Sequence, residues 1–270
     1  MLKSRVITAI VLLVLFLSAL FLLPAVGWAV LVLVIVLQGA YEWAKLSRLG
    51  RVSTMAYVLS TLVMVVFLIF QHRQRLEFSE AWLYSVAAVL WFIIVPTWMI
   101  RGWKVEQPLL MMMTGWTVLI PTGLAMLDLR AVSPWLLLSV MSLVWVADSA
   151  AYFTGRKFGK HKLAPGISPG KTWEGVAGAV LGVFLYVLIV WNLHPEFLQH
   201  ASLTVLLLAS IFWVALAVIG DLFESAIKRQ AGVKDSGALL PGHGGLLDRI
   251  DALTSTLPLA ALVILLQHSS

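Results

Sequence analysis

Long apolar runs, broken at short intervals by basic or glycine-bearing turns, dominate the chain. A helix needs roughly 20 mostly apolar residues to cross a bilayer. Nine stretches qualify, at 6–23, 25–42, 54–71, 80–100, 108–127, 132–154, 173–193, 202–227 and 247–267. Pro24 and Gly27 mark the very short turn between the first two. Pro96, Pro121 and Pro134 predict kinks or helix starts. The first run has the basic flank of a signal peptide, but it is longer and no small-residue cleavage site follows, so it is expected to stay as a span. The pattern predicts an all-α, polytopic integral membrane protein of about nine transmembrane helices, its termini on opposite sides.

Composition supports lipid as the solvent. The 270 residues are 61% hydrophobic and 12% charged, against about a quarter charged in soluble domains. The absence of cysteine excludes disulfides, thiolate catalysis and cysteine-ligated zinc. A net charge of +6 could suit nucleic acid, but basic loops also orient membrane proteins and attract anionic headgroups. With nine spans and a cytoplasmic N-terminus, all but three of the 19 Lys and Arg fall on the cytoplasmic side; the exceptions are Arg73, Arg75 and Arg130. That asymmetry predicts a multi-pass protein of the cell's inner (plasma) membrane with its polar chemistry facing the cytoplasm.

Polar residues concentrate late in the chain. Residues 1–130 read as scaffold, and 131–270 as a catalytic region with two long, basic, glycine-rich loops, 155–172 and 228–246. In 220–251, Asp221, Ser225 and Lys228 share one helical face. Asp221, Asp235, Asp248 and Asp251 supply carboxylates; Lys228, Arg229, Lys234 and Arg249 supply cations. Carboxylates without soft ligands suit magnesium. Cations, and a "PGHGG" turn containing Gly244 and Gly245, suit phosphate. Together they have the composition of a phosphoryl- or nucleotidyl-transfer site. Taken singly, Asp221 is equally a hydrated helix end and Asp248 equally a helix cap. His243 is open to three readings: proton carrier, phosphate contact or solvated side chain.

A second constellation spans 147–175. Asp148 and Tyr152 are i, i+4 neighbours, followed by Arg156, Lys157, Lys160, Lys162 and Lys171. "GKT" is no P-loop, because Pro165 stands where the first glycine is required and no strand precedes it. A basic loop entering a helix still makes an anion site; the alternative is a loop that only orients the protein. Gly175, Gly178 and Gly182 stripe one helix face for close packing. The run "LLMMMTGW" faces lipid or packs inside, and the twelve tryptophans fit interfacial belts.

The segment "SAIKRQAGVKDSGALLPGHGGLLDRID", 225–251, closely resembles the signature of phosphatidate cytidylyltransferases, the CDP-diacylglycerol synthases. Ser225, Lys228, Arg229, Lys234, Asp235, His243, Gly244, Gly245, Asp248, Arg249 and Asp251 all occupy matching positions. "SPGKTWEG" and the acid-bearing segment before it look like this family too, whereas the first 130 residues match only in character. The resemblance implies conversion of CTP and phosphatidic acid to CDP-diacylglycerol and pyrophosphate with Mg2+; a second cation and a homodimer are left open. On that basis Asp221 and Asp248 are expected to hold the metal, with Asp251 as ligand or neighbour. Lys228, Arg229, Lys234 and Arg249 would neutralise phosphates, Lys160, Ser168, Lys171 and Thr172 would complete the nucleotide or lipid-phosphate site, and Asp148 and Tyr152 would line the cavity. Two competing classes are an anion transporter, which would carry its charges near the midplane, and a CDP-alcohol phosphotransferase, whose motif is not visible.

Overall fold

The computed structural model describes residues 2–73, 78–193, 202–239 and 244–269, with side chains for 10–71, 81–192, 202–239 and 244–267. Among the described residues the helices are α1 (Leu2–Leu22), α2 (Ala25–Leu46), α3 (Arg51–Arg73), α4 (Phe78–Val89), α5 (Val95–Arg101), α6 (Pro108–Val132), α7 (Pro134–Phe158), α8 (Trp173–Leu193), α9 (Leu203–Ala231) and α10 (Leu247–Ser269). Strands β1 (Lys162–Ala164) and β2 (Ser168–Thr172) lie between α7 and α8. Eight described segments are helical, long and apolar enough to cross a membrane, α4 and α5 together forming one of them; in α1 the described apolar part, Ile10–Leu22, is shorter. The all-α membrane architecture is as the hydropathy pattern requires.

Three local features depart from the simple run of spans. The 80–100 run is one span with a widened π turn at Leu90–Ile94, where the Val95 N–H reaches back to the Leu90 carbonyl. Pro96 follows at the start of α5; it has no N–H to give and its ring crowds the preceding turn, which the wider turn accommodates. Pro134 opens α7 at its first position, while Pro121 sits inside α6. Helices α7 and α9 outlast their apolar runs by several residues, carrying Arg156 with Lys157 and Lys228 with Arg229 in their last turns. Cations are favourable at that end of the helix dipole. Gly232, at φ 76°, closes α9, and the Val233 N–H returns to the Lys228 carbonyl at 3.0 Å. The third departure lies in 155–172, expected as loop. Part of it extends α7, and the rest is an antiparallel hairpin pairing Lys162 with Thr172 and Ala164 with Ser168.

One hydrophobic core joins residues from α1 to α10, with Trp28, Trp43, Tyr57, Trp91, Met111, Leu119 and Phe223 at its centre. The indole of Trp43 donates to the Met111 carbonyl at 2.7 Å, and Tyr57 Oη to that of Met112 at 3.2 Å. Met111 is thus interior, 2% exposed, while Met113 of the same run is 52% exposed. A smaller cluster of Ala147, Ala179, Val183 and Val214 joins α7, α8 and α9. Here the glycine stripe acts as predicted: a Cβ on Gly178 would stand 2.3 Å from Thr154 Oγ1, and one on Gly182 2.6 Å from the Ala150 methyl. Gly178→Val is therefore expected to destabilise the fold by about 1–3 kcal/mol through overpacking. Thermal unfolding in detergent checks this, and an unchanged midpoint would mean that α7 and α8 do not touch there.

The helix ends sort into two sets. Arg48 Nη2 donates to the Gln230 carbonyl at 3.1 Å, and the Gln230 amide pairs with both the N–H and the carbonyl of Val105. Arg229 Nε reaches the Ile167 carbonyl at 3.3 Å. The ends of α2, α5 and α9 and the hairpin thus meet on one face. Elsewhere Arg130 Nε donates to the Leu20 carbonyl at 2.8 Å and its guanidinium lies over Trp28. This is the grouping that nine alternating spans demand.

Candidate active site

A cavity of about 630 Å³ lies among α7, α8, α9 and the hairpin. Asp148, Tyr152, Lys171, Thr172 and Asp221, all singled out from sequence, line it, together with Arg156 and Lys162. The remaining lining is small and apolar, with Ala147, Ala179 and Val214 drawn from the smaller core cluster. The cavity is polar where it meets the hairpin and apolar among the helices. Lys171 Nζ pairs with Asp221 Oδ2 at 2.5 Å, and Ser225 Oγ donates to Asp221 Oδ1 at 3.3 Å. The two constellations, fifty residues apart in sequence, are therefore joined by one ion pair. Thr172 Oγ1 accepts the Gly175 N–H at 3.1 Å, capping α8. Tyr152 Oη accepts from Arg156 Nη1 at 3.1 Å.

Beside the cavity, Lys228 is buried between two carboxylates. Its Nζ lies 2.6 Å from Asp248 Oδ1 and 3.3 Å from Glu224 Oε1. Asp248 Oδ2 accepts the Ser236 N–H at 2.9 Å, the Ser236 hydroxyl at 3.0 Å and the Gly245 N–H at 2.8 Å. Three donors thus crowd Oδ2 and one meets Oδ1, the Ser236 hydroxyl proton being shared with Glu42. Among the described residues of the glycine turn, Gly245 does aim its N–H at an anion, but at a carboxylate of the chain itself. Leu246 and Leu247 N–H each donate to Glu42, at 2.9 Å. Glycine is required on both counts: a Cβ on Gly245 would stand 2.2 Å from Ser236 Oγ, and one on Gly244, at φ 83°, 2.6 Å from Asp248 Oδ2.

Asp251, one turn into α10, lies within Coulombic range of Asp221, Glu224 and Asp148. Asp248 and Asp221 share one membrane face but do not share a point: Asp221 faces the cavity, whereas Asp248 faces Lys228. No three His, Asp or Glu side chains among the described residues form a ready cage for a metal. Both oxygens of Glu224 are nevertheless buried without a hydrogen-bond partner. Lys160 and Ser168 belong to the hairpin region but do not line the cavity, and Lys160 is held through its backbone N–H by Glu174 at 3.1 Å. Arg229 lies behind the hairpin turn, outside this cavity. Lys234, Asp235 and Arg249 are exposed. His243 lies outside the described residues.

Two acids were passed over in the sequence. Glu224 stands three residues after Asp221 and four before Lys228, a spacing that puts all three on one helix side. Glu42 is an ionisable residue in an apolar span, itself a signal of function. It accepts from Gln38 Nε2 and Ser236 Oγ as well as from the two backbone N–H groups.

The profile described as "Cytidylyltransferase family" matches residues 3–267. The chain is similar to the phosphatidate cytidylyltransferase of Haemophilus influenzae, 38% identical over 280 residues and 96% of each chain. It is likewise 38% identical over 275 residues to that of Pseudomonas aeruginosa, covering 98% of this chain and 97% of the other. Against the Thermotoga maritima enzyme of that name the identity is 47% over 130 residues, 47% of each chain. Similarity thus extends through the N-terminal spans, well beyond the signature.

Proposed function

The chain belongs to the cytidylyltransferase family, and from that premise we propose that the cavity beneath the hairpin is where CTP and phosphatidate become CDP-diacylglycerol and pyrophosphate. The observation that carries this reading is the Lys171–Asp221 pair at the polar end of an otherwise apolar cavity. A lipid phosphate and a water-soluble nucleotide can meet only at headgroup depth, and such a cavity offers each a wall. The excess of Lys and Arg in the loops of this face supports a cytoplasmic orientation in the inner membrane, the side on which CTP is available.

A phosphatidate oxygen attacks the α-phosphorus of CTP. The bond from that phosphorus to the bridging oxygen breaks, and pyrophosphate leaves in line. A phosphate monoester is largely ionised at neutral pH, its second pKa being about 6, so the nucleophile needs no strong base. Charge grows on the departing pyrophosphate. Lys171, Arg156 and Lys162 line the cavity, and their fixed charges stabilise it. The small apolar residues among the helices keep bulk water from the lipid end.

Oxygen donors of this kind fit Mg2+. Asp221, which lines the cavity, would hold it with phosphate oxygens as the other ligands, Asp251 and Glu224 lying within Coulombic range of that acid; Asp248 would join only by giving up part of its bonding to Lys228, Ser236 and Gly245. When bound, the ion would neutralise phosphate oxygens and draw charge from the α-phosphorus.

The deciding experiment is turnover by the purified chain in detergent, with labelled CTP and phosphatidate, with and without Mg2+. Metal-dependent liponucleotide and pyrophosphate are expected. CMP in place of pyrophosphate would indicate a phosphotransferase, and absence of turnover would favour transport, which needs a sealed vesicle.

A further inference from the structure

A second cavity, of about 900 Å³, opens on the same face, between the ends of α2 and α9 and the α5–α6 connection. Arg48, Lys104 and Arg229 line it, opposed by one acid, Glu106. The two arginines donate to backbone carbonyls, Arg48 to Gln230 and Arg229 to Ile167 and Val233. None of the three cations forms an ion pair with a described carboxylate. Their charge is thus not balanced by any described carboxylate.

The backbone of Arg48 points the same way. It closes α2 with its N–H on the Lys45 carbonyl while the Leu49 N–H returns to that of Ala44. This is the helix-ending turn in which glycine is the usual residue. Arg48 adopts φ 55°, alone among described non-glycine residues, although Gly50 stands two positions on. A left-handed L-residue costs roughly 1–2 kcal/mol. Strain of this kind persists where the side chain is needed.

The rest of the lining identifies the ligand. Trp98 and Trp103 supply indole rings, and Leu46, Met99 and Met111 an apolar floor. Free nucleotide has no use for such a floor. Cations and indoles over apolar side chains, at the ends of membrane helices, match the chemistry of an anionic lipid headgroup with its acyl chains. We propose that this cavity binds the phosphate of an anionic phospholipid other than the substrate, held by Arg48, Lys104 and Arg229. The inference uses the membrane placement of this face but not the reaction proposed above. The hairpin is a shared wall, its turn at Gly166 and Ile167 lining this cavity and its strands lining the first. Lipid drawn to Arg229 therefore bears on the element that carries Lys171.

The test is lipid retention by the full chain in phosphatidylcholine nanodiscs doped with phosphatidylglycerol, free of phosphatidate, read by native mass spectrometry. The unaltered protein should keep phosphatidylglycerol over phosphatidylcholine, and excess pyrophosphate should not displace it. The double variant Arg48→Gly, Lys104→Ala should hold it about tenfold more weakly, the expected effect of losing charge-assisted hydrogen bonds. Because Arg48→Gly relieves the left-handed backbone, its unfolding midpoint should not fall, which separates lost binding from lost fold. Turnover should rise with phosphatidylglycerol in the unaltered protein and stay flat in the variant. Equal retention by both proteins, or displacement by pyrophosphate, overturns the proposal. The retention readout is independent of whether the chain makes CDP-diacylglycerol.

Discussion

Replacing Lys228 with methionine should abolish turnover and destabilise the fold by about 3–5 kcal/mol, the usual cost of removing one partner from a buried ion pair. The Lys228 side chain is 11% exposed, between those of Glu224 at 6% and Asp248 at 8%. Without it, two buried carboxylates face each other with no cation between them. Ser236 and Gly245, both held by Asp248, then lose their fixed position against the start of α10. Combining Lys228→Met with Asp248→Asn removes one stranded charge, so stability should partly return while activity does not. Unfolding midpoints and turnover in detergent measure the two effects separately. A single variant as stable as the parent would show that Lys228 does not neutralise this cluster.

Glu42→Ala is the second large effect expected, and it falls in the half of the chain that carries no signature. Truncation strands the N–H groups of Leu246 and Leu247 around a void and leaves the Ser236 hydroxyl only its bond to Asp248. Each buried donor left unsatisfied costs about 1–3 kcal/mol. The start of α10, with Asp248 and Asp251, should lose its registration against α9, and turnover should fall at least about a hundredfold, as misplacement of about 1 Å can do. Glu42→Gln keeps part of the acceptor set and should retain more of both activity and stability. If Glu42→Ala and Glu42→Gln behave alike, Glu42 acts otherwise than as an acceptor for this turn.

The membrane fold was legible because apolar length and loop charge are properties of the sequence alone. The pairing of helix ends followed from the same alternation: Arg130 lies at one set of ends, Arg48 and Arg229 at the other. The cavity residues Asp148, Tyr152, Lys171, Thr172 and Asp221 could also be named in advance, since charged groups at membrane depth are expensive and stand out. Which acid meets which cation could not. Asp248 and Asp221 share a signature and a face, yet one is held by Lys228, Ser236 and Gly245 while the other faces the cavity. That division depends on Glu42 and Ser236, 194 residues apart and joined only in three dimensions. The hairpin was hidden for a related reason. "SPGKT" has none of the apolar alternation of a strand; contacts with Asp221, Arg229 and Glu174 hold it instead.

Those contacts also affect what a catalytic cycle demands of the hairpin. Glu174 holds the N–H groups of Lys160 and His161, and the Trp173 N–H bonds the His161 carbonyl. The segment is held by hydrogen bonds of the chain itself. Fixing the backbone of a disordered stretch costs about 1–2 kcal/mol for every residue, a penalty that would recur whenever product departs. Here that entropy is lost once, as the chain first folds, so affinity for phosphate need not be spent on organising the hairpin strands at each round.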